Sequence, residues 1–131
     1  MSLPDLIATV TAGIDGLWFP SETDAPWTLL PNAPEPTDGA ALRAWLGQPA
    51  SAPVESLAIA DFLAQVERRC RGYGAEGKAI AQRHRDLIAM LSDRCDALTV
   101  WRVGTVTLDV VIIGTLETGD RVALGTQSVE T

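Results

Sequence analysis

The sequence predicts an α+β protein in which one mostly antiparallel sheet lies between helices on both of its faces. Three observations lead there. Residues 1–95 carry helical periodicity interrupted by Pro- and Gly-rich loops. The last third switches to strand periodicity, in LTVWRVG, TVTLDVVIIG and RVALGTQSVE. Within it Val110–Ile113 is apolar without a break, the pattern of a strand covered on both sides. Helices early, a meander late and a doubly covered strand imply a sheet between two helical layers. At 131 residues and 47% hydrophobic content the chain is long and apolar enough for one globular domain, expected over 1–131.

Each element has a local reason. Pro4–Ile14 is expected to be helical: Pro is tolerated in a first turn, and Leu6, Ile7, Val10 and Ile14 share a face. Gly16 ends it. Trp18-Phe19-Pro20 leads into Ser21-Glu22-Thr23-Asp24, which is loop chemistry, and Trp27–Leu30 reads as a short strand stopped by Pro31. Asp38 is placed to cap a helix over Ala40–Leu46, closed by Gly47. Val54–Leu57 reads as a brief strand and Ala60–Cys70 as a helix with Phe62, Leu63 and Val66 on one face. Gly72, Gly74 and Gly77 read as helix breakers, so the next helix is expected from about Lys78 to Cys95, with Ile80, Leu87, Ile88 and Leu91 at core spacing. Glu117–Asp120 is a hairpin turn with Gly119 available for positive φ.

Charge narrows the function. The net charge is −7, which argues against direct nucleic-acid binding, since phosphate contacts need Lys and Arg. Residues 1–60 hold seven acids and one base (−6), residues 61–95 five acids and seven bases (+2), and residues 96–131 five acids and two bases (−3). Such an acidic surface serves solubility or attracts a basic partner. No apolar run approaches the about 18–20 residues of a membrane span. MSLPDLIATV lacks the basic region of a signal peptide, and Cys70 and Cys95 fit reduced thiols in a cytoplasmic protein.

Catalytic signals are weak. The chain's one histidine, His84, lies among charges in QRHRD and is expected to face solvent. No phosphate loop, dinucleotide fingerprint or nucleophile elbow is present. Glu22 and Asp24, with Asp109 from an apolar strand, form the carboxylate set that a small metal-dependent enzyme would need. The bland reading of Asp109 is a carboxylate satisfied by a helix end or a loop donor. Trp18 and Trp27 flank the Ser21–Asp24 loop, and a loop held between aromatic residues docks at a lower entropic cost.

Three segments carry a resemblance: GLWFPSETDAPW (16–27), WRVGTVTLDVVIIG (101–114) and ALGTQSVET (123–131). They are similar to the acidic loop, the central hairpin and the closing run of the nuclease A inhibitor family, and the helices between them align without gaps. The resemblance implies an α-β-α sandwich similar to plant pathogenesis-related proteins, and a cytoplasmic, monomeric inhibitor rather than an enzyme, with no cofactor of its own. It implies as partner a basic, magnesium-dependent endonuclease that does not discriminate between DNA and RNA. Thr131 would reach the nuclease's magnesium and Glu22 would engage the active-site region. Glu130, Asp24 and Tyr73 complete the expected contact set. Where the family carries an aromatic residue just before Tyr73, this chain has Gly72, and Tyr73 is the available substitute. A nuclease cleft is basic and oxygen-seeking, so carboxylates on a stiff edge suit it. The alternative is an acidic binding module of the same fold with a non-nuclease partner.

Overall fold

The structure, a computed structural model, describes residues 2–130 of the chain. The elements run α1 (Leu3–Ile14), β1 (Trp18–Phe19), β2 (Ala25–Pro26), β3 (Thr28–Leu30), α2 (Gly39–Leu46), β4 (Val54–Leu57), α3 (Ile59–Cys70), a 3-10 turn (Arg71–Tyr73), α4 (Gly74–Arg94), β5 (Ala97–Val103), β6 (Thr107–Thr115) and β7 (Arg121–Val129). β3–β7 form an antiparallel five-stranded sheet in the order β3-β7-β6-β5-β4. β1 and β2 pair separately as a small hairpin. The α+β class and the antiparallel sheet are as the sequence predicts.

The pleat of β6 divides the molecule. Val110 and Ile112 face one side and join the larger core, built with Leu6, Val10, Phe62, Val66, Leu87, Ile88 and Leu91 from α1, α3 and α4. Val111 and Ile113 face the other and join a smaller core with Leu42 of α2, fringed by Trp45, Trp101 and Val54. All four are at most 1% exposed. Because side chains alternate along a strand, four consecutive apolar residues require cover on both faces. β6 has that cover and lies at the sheet's centre.

The helix ends have identifiable causes. Ser2 Oγ accepts from the Asp5 amide at 3.3 Å before α1, and Asp38 Oδ1 accepts from the Ala41 amide at 3.1 Å before α2. Gly47 closes α2 in the left-handed region, with φ 69°. The last turn of α1 holds no basic residue of its own. Arg83 of α4 supplies the charge, donating to the carbonyls of Gly13 at 2.9 Å and Asp15 at 2.7 Å.

Two expectations need correction. α4 begins at Gly74, not near Lys78, so Gly77 lies inside it. Gly77 is buried, and a Cβ there would be driven into the Cys70 carbonyl. The glycine allows the α3 end and α4 to touch, and this contact outweighs its poor helix propensity. His84 is the second. It is 0% exposed, within 6.0–6.4 Å of the ring centroids of Phe19, Trp27 and Phe62. Its Nδ1 lies 2.9 Å from the Ile80 carbonyl, and its Nε2 accepts the Trp27 indole N–H at 2.9 Å. That pairing fixes a neutral imidazole protonated on Nδ1. Burial, opposed only by the Ile80 bond, lowers its pKa to about 4.

Candidate functional site

The Phe19–Trp27 contact (ring centroids 5.7 Å) closes the base of the β1–β2 hairpin over the larger core. The Ser21–Asp24 segment is thereby pushed outward, and Glu22 and Thr23 at its tip are exposed. Asp24 adopts φ 45°, a conformation that short polar residues tolerate best. From there its Oδ1 accepts the Ser21 amide at 3.1 Å, closing the tip on itself.

Two outside supports hold the tip. Tyr73, in the 3-10 turn after α3, donates its hydroxyl to both Asp24 oxygens, at 2.8 and 3.0 Å. That bond to the Asp24 carboxylate pushes the phenol pKa above its ordinary value. The Tyr73 ring meets Trp18 edge-on, with centroids 4.9 Å apart. The second support is the end of β7. The Val129 amide donates to Ser21 Oγ at 3.3 Å, and the Glu22 amide donates to the Val129 carbonyl at 3.4 Å. Glu22 and the last described residues therefore border one shallow cavity of about 420 Å³, shared with Pro20, Arg69 and Tyr73.

Glu130 has partners that the sequence did not suggest. Arg102 Nη2 of β5 lies 2.6 Å from its Oε1, and Arg69 Nη2 of α3 lies 3.1 Å from its Oε2. Ser128 Oγ donates to Oε2 at 2.6 Å, and the Glu130 amide donates to the Val106 carbonyl at 2.8 Å. The Arg102 bond, aided by Ser128 and Arg69 against partial burial, lowers the Glu130 pKa to about 2. Both carboxylate oxygens are thus engaged within the chain. Arg69 and Ser128, absent from the expected contact set, are as central to this corner as the residues in it. Thr131, expected to carry the plug, lies outside the described residues.

Asp109 belongs elsewhere. Its Oδ2 accepts from Gln48 Nε2 at 2.7 Å, the loop donor that a satisfied carboxylate calls for. It shares its strand face with Val111 and Ile113, on the α2 side of the sheet. Among the described residues no group of three His, Cys, Asp or Glu side chains is placed to hold a metal ion. Cys70 and Cys95 are free and buried, and burial pushes both thiols above their ordinary pKa. No helix among the described residues is long and apolar enough to cross a membrane.

Fold and site together define a class: an α+β sandwich that presents a braced acidic hairpin beside the end of its last strand. A family model described as Nuclease A inhibitor-like protein matches residues 4–131, nearly the whole chain. The protein belongs to that family. A comparison with curated proteins finds no match.

Proposed function

We propose that this protein inhibits a basic, magnesium-dependent, non-specific endonuclease by filling its active-site cleft with Glu22 and Thr131. It acts as a cytoplasmic monomer on a protein partner, makes no direct contact with nucleic acid and carries no catalytic activity or cofactor of its own. The family match supports a nuclease as partner. One observation carries the reading of the site. The tip bearing Glu22 is hydrogen-bonded through Ser21 and its own amide to Val129, so Glu22 and the end of β7 border the same cavity. An exposed acidic tip held against the strand that leads to Thr131 suits a single cleft that holds a polyanion beside a hard cation.

In this reading Glu22 offers oxygens to a nuclease arginine or ordered water, and Thr131 offers its carboxylate and hydroxyl to the magnesium. Asp24 and Tyr73 keep the tip in shape, and Glu130 fixes the segment that leads to Thr131. The test is titration of a magnesium-dependent endonuclease with the protein, with Glu22→Ala, and with a variant carrying residues appended after Thr131. Both variants should lose inhibition by about 100-fold or more, in the range of interface hot spots, without a matching loss in melting temperature. Full inhibition by the extended variant would rule out the plug.

Gly72, in place of the family's aromatic residue, favours a second reading with the same edge and a non-nuclease partner. Under that reading a captured partner has no nuclease activity after separation, and Glu22→Ala binds it as well as the parent.

A further inference from the structure

We infer that Arg69 is a positioning residue: its guanidinium sets the hairpin tip and the end of β7 in fixed relation to one another. The geometry stands by itself, and its consequence for binding rests on the function proposed above. Nη1 donates to the Pro20 carbonyl at 3.1 Å, immediately before the tip, and to Ser128 Oγ at 3.2 Å in β7. Nη2 pairs with Glu130 at 3.1 Å. The guanidinium carbon stands 5.5 Å from the Phe19 ring centroid, at the hairpin's base. One side chain from α3 therefore touches the segment before Glu22, the strand beside it and the residue before Thr131.

The competing ties are weaker or narrower: Thr126 Oγ1 donates to the Ala25 carbonyl at 3.1 Å, joining the hairpin to the middle of β7 without reaching Glu130. The Ser21–Val129 and Glu22–Val129 bonds, at 3.3 and 3.4 Å, exceed the usual 2.7–3.2 Å range for such bonds. Arg102 holds Glu130 more tightly, at 2.6 Å, and Glu130 is its side chain's sole hydrogen-bond partner among the described residues. Tyr73 ties the tip to the 3-10 turn after α3, and its side-chain hydrogen bonds among the described residues go to Asp24 alone. Arg69 joins both parts with charge-assisted bonds, about twice as strong as neutral ones, and its side chain is only 24% exposed. The planar fork of arginine suits this use, because it directs several donors at once; a lysine ammonium on a flexible stem does not. Two contact elements set relative to each other beforehand lose less freedom when a partner closes on them.

The experiment uses the full chain with Arg69→Met, which keeps an apolar stem over Phe19, and Arg69→Lys, which keeps the charge. Amide hydrogen exchange on the free protein should show the Glu22 and Val129 amides about tenfold or more less protected in Arg69→Met. The Val110–Ile113 amides should stay as in the parent, and Arg69→Lys should restore little. Unchanged exchange at Glu22 and Val129, or an equal loss in β6, would overturn the inference. Nuclease inhibition supplies the second arm, as a double-mutant cycle of Arg69→Met with Glu22→Ala. A positioning role makes the pair non-additive, because a misplaced Glu22 has little left to lose. Additive losses would sink the positioning role and leave the inhibitor reading intact. Loosened amides in a protein whose parent form inhibits no nuclease would do the reverse.

Discussion

Trp27 donates its indole N–H to Nε2 of His84 across 2.9 Å, joining the hairpin that carries the acidic tip to the middle of α4. The bond is buried and the two residues are 57 apart in sequence. It requires the imidazole to be neutral, because a protonated Nε2 would point a second hydrogen at the indole.

Stability should therefore fall on mild acidification. The folded His84 pKa is about 4, below the 6.5 of the unfolded chain, so the unfolded chain binds the proton first. The contribution is complete above pH 6.5 and is lost as pH falls towards 4, about 3 kcal/mol over the window. Urea titrations followed by tryptophan fluorescence at pH 7, 6 and 5 measure the slope. A His84→Leu variant should be less stable at pH 7, since Trp27 loses its acceptor, and should lack the slope between pH 6.5 and 5. A parent protein equally stable at pH 7 and 5 would contradict this account.

Glu130 governs a lower window. Its folded pKa of about 2 lies under the ordinary 4.5, so its contribution is present above pH 4.5 and is lost as pH falls towards 2. Glu130→Gln should flatten the acid limb of the stability profile there. At neutral pH it should cost about 1–2 kcal/mol, towards the low end because the side chain is 30% exposed. An acid limb identical to the parent's would show that the two arginines do not hold it.

Gly77→Ala should destabilise the protein. Helix propensity alone favours alanine by about 1 kcal/mol. The added Cβ would meet the Cys70 carbonyl, which is backbone and cannot step aside. Overpacking of this kind costs about 1–3 kcal/mol, so the clash should win and the melting temperature should drop. Gly72→Ala is the control, because nothing lies within 4 Å of its new Cβ. Equal melting temperatures for the two variants would refute the packing argument.

Tyr73→Phe should separate tip order from fold stability. The ring keeps its contact with Trp18, while Asp24 loses the hydroxyl and retains the Ser21 amide. The melting temperature should barely move, and NMR relaxation should report faster motion at Glu22 and Thr23. Unchanged order parameters there would mean that the hydroxyl does not support the tip.

Much of the architecture was legible because it rests on local patterns. The unbroken apolar run Val110–Ile113 pointed to a central strand, and Asp38 and Gly47 marked the ends of α2. His84 was misread because its neighbours in sequence are charged, while its real neighbours are aromatic side chains from the hairpin and α3. A signal was present all the same: His84 is four residues from both Ile80 and Ile88, on the buried face of α4. Gly77 was misread for a related reason, since glycine reads as a break until the partner helix is known. At the site, Glu22 and Asp24 stood out as acids in a short loop. The link through Arg69 did not, because its partners at 20, 128 and 130 meet only when α3 folds over the end of β7.

The β1–β2 hairpin forms a sheet of its own, outside the ladder of β3–β7. Its outermost residues can therefore be exchanged without shifting the strand register beneath them. A library randomised at Glu22 and Thr23 would vary what the molecule offers to a partner while leaving its fold as it is, and would make this domain a scaffold for retargeting.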